Sequence, residues 1–122
     1  MWVMLSGSFL SVVHKDCKPD ELLVRARVKG HIEAVFPNAK VSEASHTDYR
    51  FRAVLPRSVV AQALSDQAMS LKYDNFKNTV RNNRFHDALA SVWHVMARLQ
   101  PTAPYTGRPQ AQPRHNSLVD IY

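Results

Sequence analysis

Leu22-Leu23-Val24-Arg25-Ala26-Arg27-Val28-Lys29 sets apolar side chains at Leu22, Val24, Ala26 and Val28 between cations at Arg25, Arg27 and Lys29. Successive strand residues point to opposite faces, so this alternation predicts a half-buried strand with one core face and one cationic face. The pattern returns in Tyr49-Arg50-Phe51-Arg52-Ala53-Val54-Leu55, where Tyr49, Phe51, Ala53 and Leu55 share one side and Arg50 and Arg52 the other. Two such strands in one sheet place their arginines on a common face. An arginine there can meet a phosphate, or it can serve only to keep a sheet edge from pairing.

The remaining elements follow outward from these two strands. Residues 2 to 15 are rich in Val, Leu and Phe and broken by Ser6-Gly7-Ser8, which predicts a hairpin turning or bulging at that point. Asp16-Cys17-Lys18-Pro19-Asp20 has the composition of a turn. Gly30 ends the cationic strand, and Ile32, Val35 and Phe36 are spaced for one or two helical turns before Pro37. Residues 40 to 44 form a weaker strand pattern. Past Pro56, Val60, Leu64, Ala68 and Leu71 keep helical spacing, with Ser58 as the cap. A second helix capped by Asp74 and a third over 84 to 99, burying Phe85, Leu89, Val92, Trp93 and Met96, complete the pattern. The expected fold is α+β: a small antiparallel β-sheet with about three α-helices in a single domain over 1–100. The stretch 101–122 holds four prolines and no apolar periodicity, which predicts a flexible Pro-rich C-terminal tail.

Composition narrows the function classes. The chain has 122 residues, one domain's worth, and no apolar run near the roughly 20 residues a membrane span requires. The start, Met1-Trp2-Val3-Met4-Leu5, lacks the basic region and cleavage pattern of a secretory signal, so a cytoplasmic protein is expected. With a single cysteine, Cys17, the chain has no intrachain disulfide and no cysteine-rich zinc site. The six histidines include no pair at helical ligand spacing, so no metal is expected; nor is there a glycine-rich phosphate loop or a serine elbow. These absences favour a binding protein over an enzyme, with no catalytic residues and no cofactor assigned. A net charge of +6 biases encounters toward anions. Its scatter along the chain argues against a nucleic-acid groove.

Residues 73 to 87, Tyr-Asp-Asn-Phe-Lys-Asn-Thr-Val-Arg-Asn-Asn-Arg-Phe-His-Asp, hold four asparagines, three cations and two phenylalanines. Asparagine is a mediocre helix former, so such a cluster trades helix stability for caps and turns, or for recognition. On a helix, Asn75, Asn78 and Asn82 form one line and Phe76 and Val80 a neighbouring one. Phe76 is then placed to stack on a base, with Asn75, Asn78 and His86 positioned for sugar hydroxyls or base edges. The plainer alternatives are that Phe76 is core, the amides face water and His86 beside Asp87 serves as a cap.

Leu23-Val24-Arg25-Ala26-Arg27, Ile32-Glu33-Ala34-Val35-Phe36-Pro37, Thr47-Asp48-Tyr49-Arg50-Phe51-Arg52-Ala53, Tyr73-Asp74-Asn75-Phe76-Lys77-Asn78 and His86-Asp87-Ala88 through Trp93, in this order and spacing, resemble the phage Thoeris anti-defence sponge family. The resemblance covers residues 1 to 99. It implies a protein that sequesters a cyclic ADP-ribose isomer without cleaving it, a homo-oligomer with pockets between protomers, and capacity for cyclic oligonucleotides. It also implies Phe76 as the base-stacking aromatic and Arg27 as a phosphate partner, then Arg25, Asn75, Asn78 and His86, with a late arginine supplied by Arg98 or Arg108. Two rival readings remain from the sequence: a small inhibitor that docks on a host defence protein, and a basic nucleic-acid-binding protein.

Overall fold

The alternation of apolar and cationic side chains produces an antiparallel sheet. The computed structural model describes residues 1–101. The expected tail from 102 onward, Arg108 included, lies outside the described residues. The described residues divide into two compact units, residues 1–79 and those from Val80 onward.

The first unit is built on five strands: β1 (Trp2–Leu5), β2 (Ser8–Val13), β3 (Glu21–Ala26), β4 (Ser42–Glu43) and β5 (Phe51–Pro56). They lie in the order β1-β2-β3-β5-β4, with every neighbouring pair antiparallel. Ser6-Gly7 is the two-residue turn of the β1–β2 hairpin, which closes with Leu5 opposite Ser8. Asp16 adopts φ of +52° in the connection to β3, a left-handed conformation that a short polar side chain tolerates. The two patterned strands sit side by side in the sheet, where Val24 faces Ala53, Leu22 faces Leu55 and Ala26 faces Phe51.

One face of the sheet carries the core. Leu10, Val12, Val24, Ala26, Phe51 and Ala53 come from the strands, and Ile32, Phe36 and Val60 cover them. Each fully buried Val, Ile or Phe contributes about 1.5–3 kcal/mol relative to leaving it in water. Ile32 and Phe36 reach the core because Gly30, at φ +92°, opens a series of hydrogen-bonded turns. In these, Ala34 N–H donates to the Gly30 carbonyl and Phe36 N–H to that of Ile32. The expected helical turns are therefore present as turns. His31 pins them to the hairpin: its Nδ1 accepts from the Phe9 N–H at 3.0 Å, and its carbonyl accepts from the Ser8 hydroxyl at 2.7 Å.

Helix α1 (Arg57–Met69) leaves β5 without an intervening loop. Pro56 occupies the cap position and no side chain caps the helix, so Ser58 lies inside the first turn and does not serve as the expected cap. The Arg57 N–H instead donates to the Asp20 carbonyl at 2.7 Å, tying the helix start to the β2–β3 turn. The expected stripe, which Val59 and Ala63 widen, packs only in part: Val60 is buried and Ala63 and Leu64 half-buried, whereas Val59, Ala68 and Leu71 are exposed.

The expected middle helix is a correction. Phe76–Thr79 forms a single 3₁₀ turn. The Asn75 side chain accepts from the Lys77 N–H at 3.1 Å, and the Thr79 hydroxyl donates to the Phe76 carbonyl at 2.7 Å. Both bonds satisfy the backbone locally, which is how Asn and Thr compete with a continuing helix. The described residues thus contain two α-helices. The second unit holds α2 (Asn83–Ala97), capped by Asn82, whose side chain accepts from the Phe85 N–H at 2.9 Å. Leu89 is buried there, and Phe85 and Val92 are half-buried, as expected; Trp93 and Met96, expected inside, are exposed. No helix of the described residues is long and apolar enough to cross a membrane.

Candidate functional site

The cationic residues of β3 and β5 separate by register. Arg25 and Arg52 are directly opposed across the β3–β5 pair, in the row that also contains Ser11 of β2 and Ser42 of β4. Arg27 and Arg50 were expected inside the strands, but both lie just beyond strand ends. There each takes an acidic partner: Arg27 pairs with Asp48 at 3.1 Å and Arg50 with Glu43 at 2.8 Å. All four of those side chains are at least half exposed, a setting where such pairs add only about 0–1 kcal/mol.

Tyr49 organises the group. Its ring is buried, and the guanidinium carbons of Arg25 and Arg27 lie 4.5 Å and 4.1 Å from its centroid. Both distances are well within cation–π range. Arg52 Nε donates to the Tyr49 carbonyl at 3.3 Å, and Arg27 also donates to the Asp48 carbonyl at 3.0 Å. Three guanidinium groups therefore converge on one tyrosine. Tyr49 itself is fixed because Thr47 bridges the Ala44 and Tyr49 carbonyls with its hydroxyl, closing the bend ahead of β5. Arg25 is fixed from the other side by a 2.8 Å bond to the Ser11 hydroxyl.

The asparagine-rich stretch forms a second group. Phe76 is half-buried and stacks at a tilt on Tyr73, with ring centroids 5.8 Å apart. Asn75 is spent on its own turn, and Asn78 is exposed on the 3₁₀ turn. With no continuous helix through these positions, Asn75, Asn78 and Asn82 do not form the expected line, and Asn82 is committed to capping α2. The Thr79 and Ser6 hydroxyls share a hydrogen bond, which ties this turn to the β1–β2 hairpin. By register that hairpin turn lies at the end of the sheet to which the chain carries Arg27, the same end at which β5 begins after Tyr49.

His86 and Arg98 belong to the second unit. His86 Nδ1 stands 3.6 Å from Asp87 Oδ1 near the start of α2, and Arg98 is the exposed C-cap of that helix. Of the sequence-derived candidates, the structure groups Arg25 with Arg27, and separately Asn75 with Phe76 and Asn78. Tyr49 and Ser11 were missed as site residues. Tyr49 read only as a core-facing strand position, and the sole cue was its place directly after the turn-like Ser45-His46-Thr47-Asp48 and directly before Arg50-Phe51-Arg52.

Two surface grooves lie elsewhere in the first unit. One, of about 560 Å³, runs along Pro19, Asp20, Arg57 and Ala61. The other, of about 480 Å³, lies between the 35–39 turn, the end of β5 and α1. Neither is lined by Arg25, Arg27, Arg52 or Phe76. No group of three or more His, Cys, Asp or Glu side chains suited to a metal occurs among the described residues. No protein-family model matches the chain, and neither the curated proteins nor the solved structures contain a match to it.

Proposed function

We propose that this protein is a non-catalytic binder that sequesters a phosphate-bearing cyclic nucleotide signal, a cyclic ADP-ribose isomer or a cyclic oligonucleotide, as a phage anti-defence sponge in the host cytoplasm. The observation that carries this reading is the convergence of Arg25, Arg27 and Arg52 on Tyr49, with Asp48, among the described residues, as the one carboxylate bonded to any of the three. Guanidinium groups match phosphate oxygens in pairs, and a tyrosine beneath them holds their planes without neutralising their charge. The ligand's identity comes from the resemblance to the sponge family. Phe76 and Tyr73 supply aromatic faces for a base.

A sponge works by mass action. It must bind more tightly than the competing receptor and release slowly, and it needs no general acid or base. Assembly into a homo-oligomer, with the pocket completed by a second protomer, suits a chain this small, because two copies can enclose a ligand that one leaves open to water.

The test is isothermal titration of the purified protein with cyclic ADP-ribose isomers, followed by heat denaturation and recovery of the ligand. Stoichiometric binding with intact ligand recovered is expected. An absence of binding at micromolar concentrations overturns the reading, and recovery of a hydrolysed product overturns its non-catalytic part.

A second reading, docking on a host defence protein, is favoured by one observation. Met69, Leu71 and Tyr73 are exposed at and after the end of α1, and Trp93, Met96 and Leu99 are exposed on and after α2. Large apolar side chains left exposed in sequence-local groups mark interaction surfaces more often than isolated ones do. Pull-down of a stoichiometric host protein carrying no nucleotide supports this alternative over the sponge.

A further inference from the structure

Arg25 and Arg52 present an unusual balance of charge. They are cross-strand partners in the interior of the sheet, where like charges directly opposed destabilise the pairing. Both are half-buried. Arg27 and Arg50 have carboxylates at 3.1 Å and 2.8 Å, but among the described residues neither Arg25 nor Arg52 has one. Their protein partners are neutral: the Ser11 hydroxyl for Arg25 and the Tyr49 carbonyl for Arg52. The Nε of Arg25 is buried and has no hydrogen-bond acceptor among the described residues. Leaving such a donor of a charged group unsatisfied is costly, and two adjacent uncompensated cations add to the cost.

We propose that Arg25 and Arg52 are the two arms of a seat for a diphosphate, and that Arg52 rather than Arg27 completes it. This deepens the proposed function by naming the residues that take the ligand's phosphates, and it rests on that reading for the biological ligand. Inorganic pyrophosphate or the diphosphate of a nucleotide presents the same chemistry: several oxygens bearing about two or more negative charges, able to span two guanidinium forks. Neutral anchors suit this role. Ser11 and Tyr49 fix the direction of each guanidinium while leaving its charge for the ligand, whereas Asp48 has already neutralised Arg27. The row Ser11–Arg25–Arg52–Ser42 also places a hydroxyl at either side of the pair, and Ser42 Oγ donates only a long bond of 3.4 Å to the Arg52 carbonyl.

An arginine kept for an anion and an arginine kept for folding respond in opposite ways to substitution. In low salt without ligand, Arg52→Gln removes the opposed charge, so the thermal midpoint is expected to hold or rise. With inorganic pyrophosphate, the wild-type midpoint is expected to climb while the variant's stays still. Calorimetric affinity for pyrophosphate should fall at least about tenfold in Arg52→Gln, the loss of one charge-assisted bond to a buried anion. Arg27→Gln should change that affinity by less than about threefold, since exposed and already paired charges contribute little. Arg52→Lys keeps the charge without the fork and guards against misfolding; its affinity should lie between wild type and Arg52→Gln.

A wild-type protein indifferent to pyrophosphate overturns the proposal. So does an Arg52→Gln variant that binds pyrophosphate as tightly as wild type, or one whose loss is matched by Arg27→Gln. A second arm with ADP-ribose and the cyclic isomers separates the two levels: pyrophosphate binding with no nucleotide binding keeps the seat and rejects the sponge, whereas nucleotide binding unaffected by Arg52→Gln keeps the sponge and rejects the seat.

Discussion

Removing the Tyr49 ring should release two arginines at once, and a double-mutant cycle can measure how much of the site it holds. Tyr49 is 4% exposed, with Arg25 and Arg27 at 4.5 Å and 4.1 Å from its centroid. Tyr49→Leu keeps a branched apolar side chain but loses the π face. Each guanidinium contact at a partly exposed position is worth about 0.5–1 kcal/mol, so both together contribute about 1–2 kcal/mol. Shrinking a buried ring adds about 1–2 kcal/mol of lost packing, within the range of large-to-small core changes. The expected total is about 2–4 kcal/mol. With a urea m-value of about 2 kcal/mol/M, the middle of the range for small proteins, the midpoint should drop by about 1–2 M. Tyr49→Phe retains the π face and should stay within about 0.5 kcal/mol of wild type.

Arg27→Gln supplies the other edge of the cycle. On its own it loses the ring contact and both bonds to Asp48, of which the ion pair is 50% and 74% exposed and heavily screened. Combining it with Tyr49→Leu should give a coupling energy of about 0.5–1 kcal/mol by urea denaturation. Repeating the cycle in 1 M salt, where the Debye length is about 3 Å, should erase coupling between Arg27 and Asp48 while leaving most of that between Arg27 and Tyr49. A coupling below about 0.3 kcal/mol, with Arg27→Gln still destabilising, refutes the reasoning: Arg27 would then act through Asp48, and the ring would be a bystander.

Two further substitutions or conditions test the scaffold. Burial pushes the His31 imidazole below its ordinary value of 6.5, so the unfolded chain binds more protons than the folded one between the two pKa values. Its contribution to stability is present above pH 6.5 and declines as pH falls through the lowered folded value; urea midpoints should decrease from pH 7.5 toward pH 5, and His31→Gln should flatten that part of the profile. Asn82→Ala removes the acceptor for the Phe85 N–H at the start of α2 and should cost about 1 kcal/mol of helix stability, read by far-ultraviolet circular dichroism during melting. Asn82→Asp should retain the cap.

The sheet was legible because its signal is periodic and local. Val24, Ala26, Phe51 and Ala53 alternate with cations, and an arginine in the core is so expensive that the faces assign themselves. Helix α2 was legible for the same reason at a period of 3.6, although Trp93 and Met96 show that a stripe marks a face without saying what covers it. The 73–82 stretch was misread because Asn and Thr offer two solutions. Their side chains can ride on a helix or bond the backbone around them, and periodicity does not distinguish these; the Asn75 and Thr79 bonds settle the choice. Ser58 was misassigned as a cap because the helix begins directly at the end of β5, so that Asp20, distant in sequence, supplies the first acceptor.

The arginine face shows most directly what a pattern in one dimension omits. Sequence alternation places Arg25, Arg27, Arg50 and Arg52 on the same side of their strands and makes them equivalent. Register and strand length divide them into two kinds: Arg27 and Arg50 leave the ladder and meet Asp48 and Glu43, while Arg25 and Arg52 stay in it, opposed and, among the described residues, without a carboxylate. A sheet selected for stability alone has an inexpensive remedy, since an acidic residue at position 52 would form a cross-strand ion pair with Arg25. The chain places its glutamate and aspartate beside Arg50 and Arg27, at 43 and 48, and keeps two cations opposed at 25 and 52 where one would serve the sheet better. Local disagreement with the folding rules is expected where a site needs unspent charge. That places the burden of the anion reading on Arg52, whose replacement should cost the sheet nothing and the ligand a great deal.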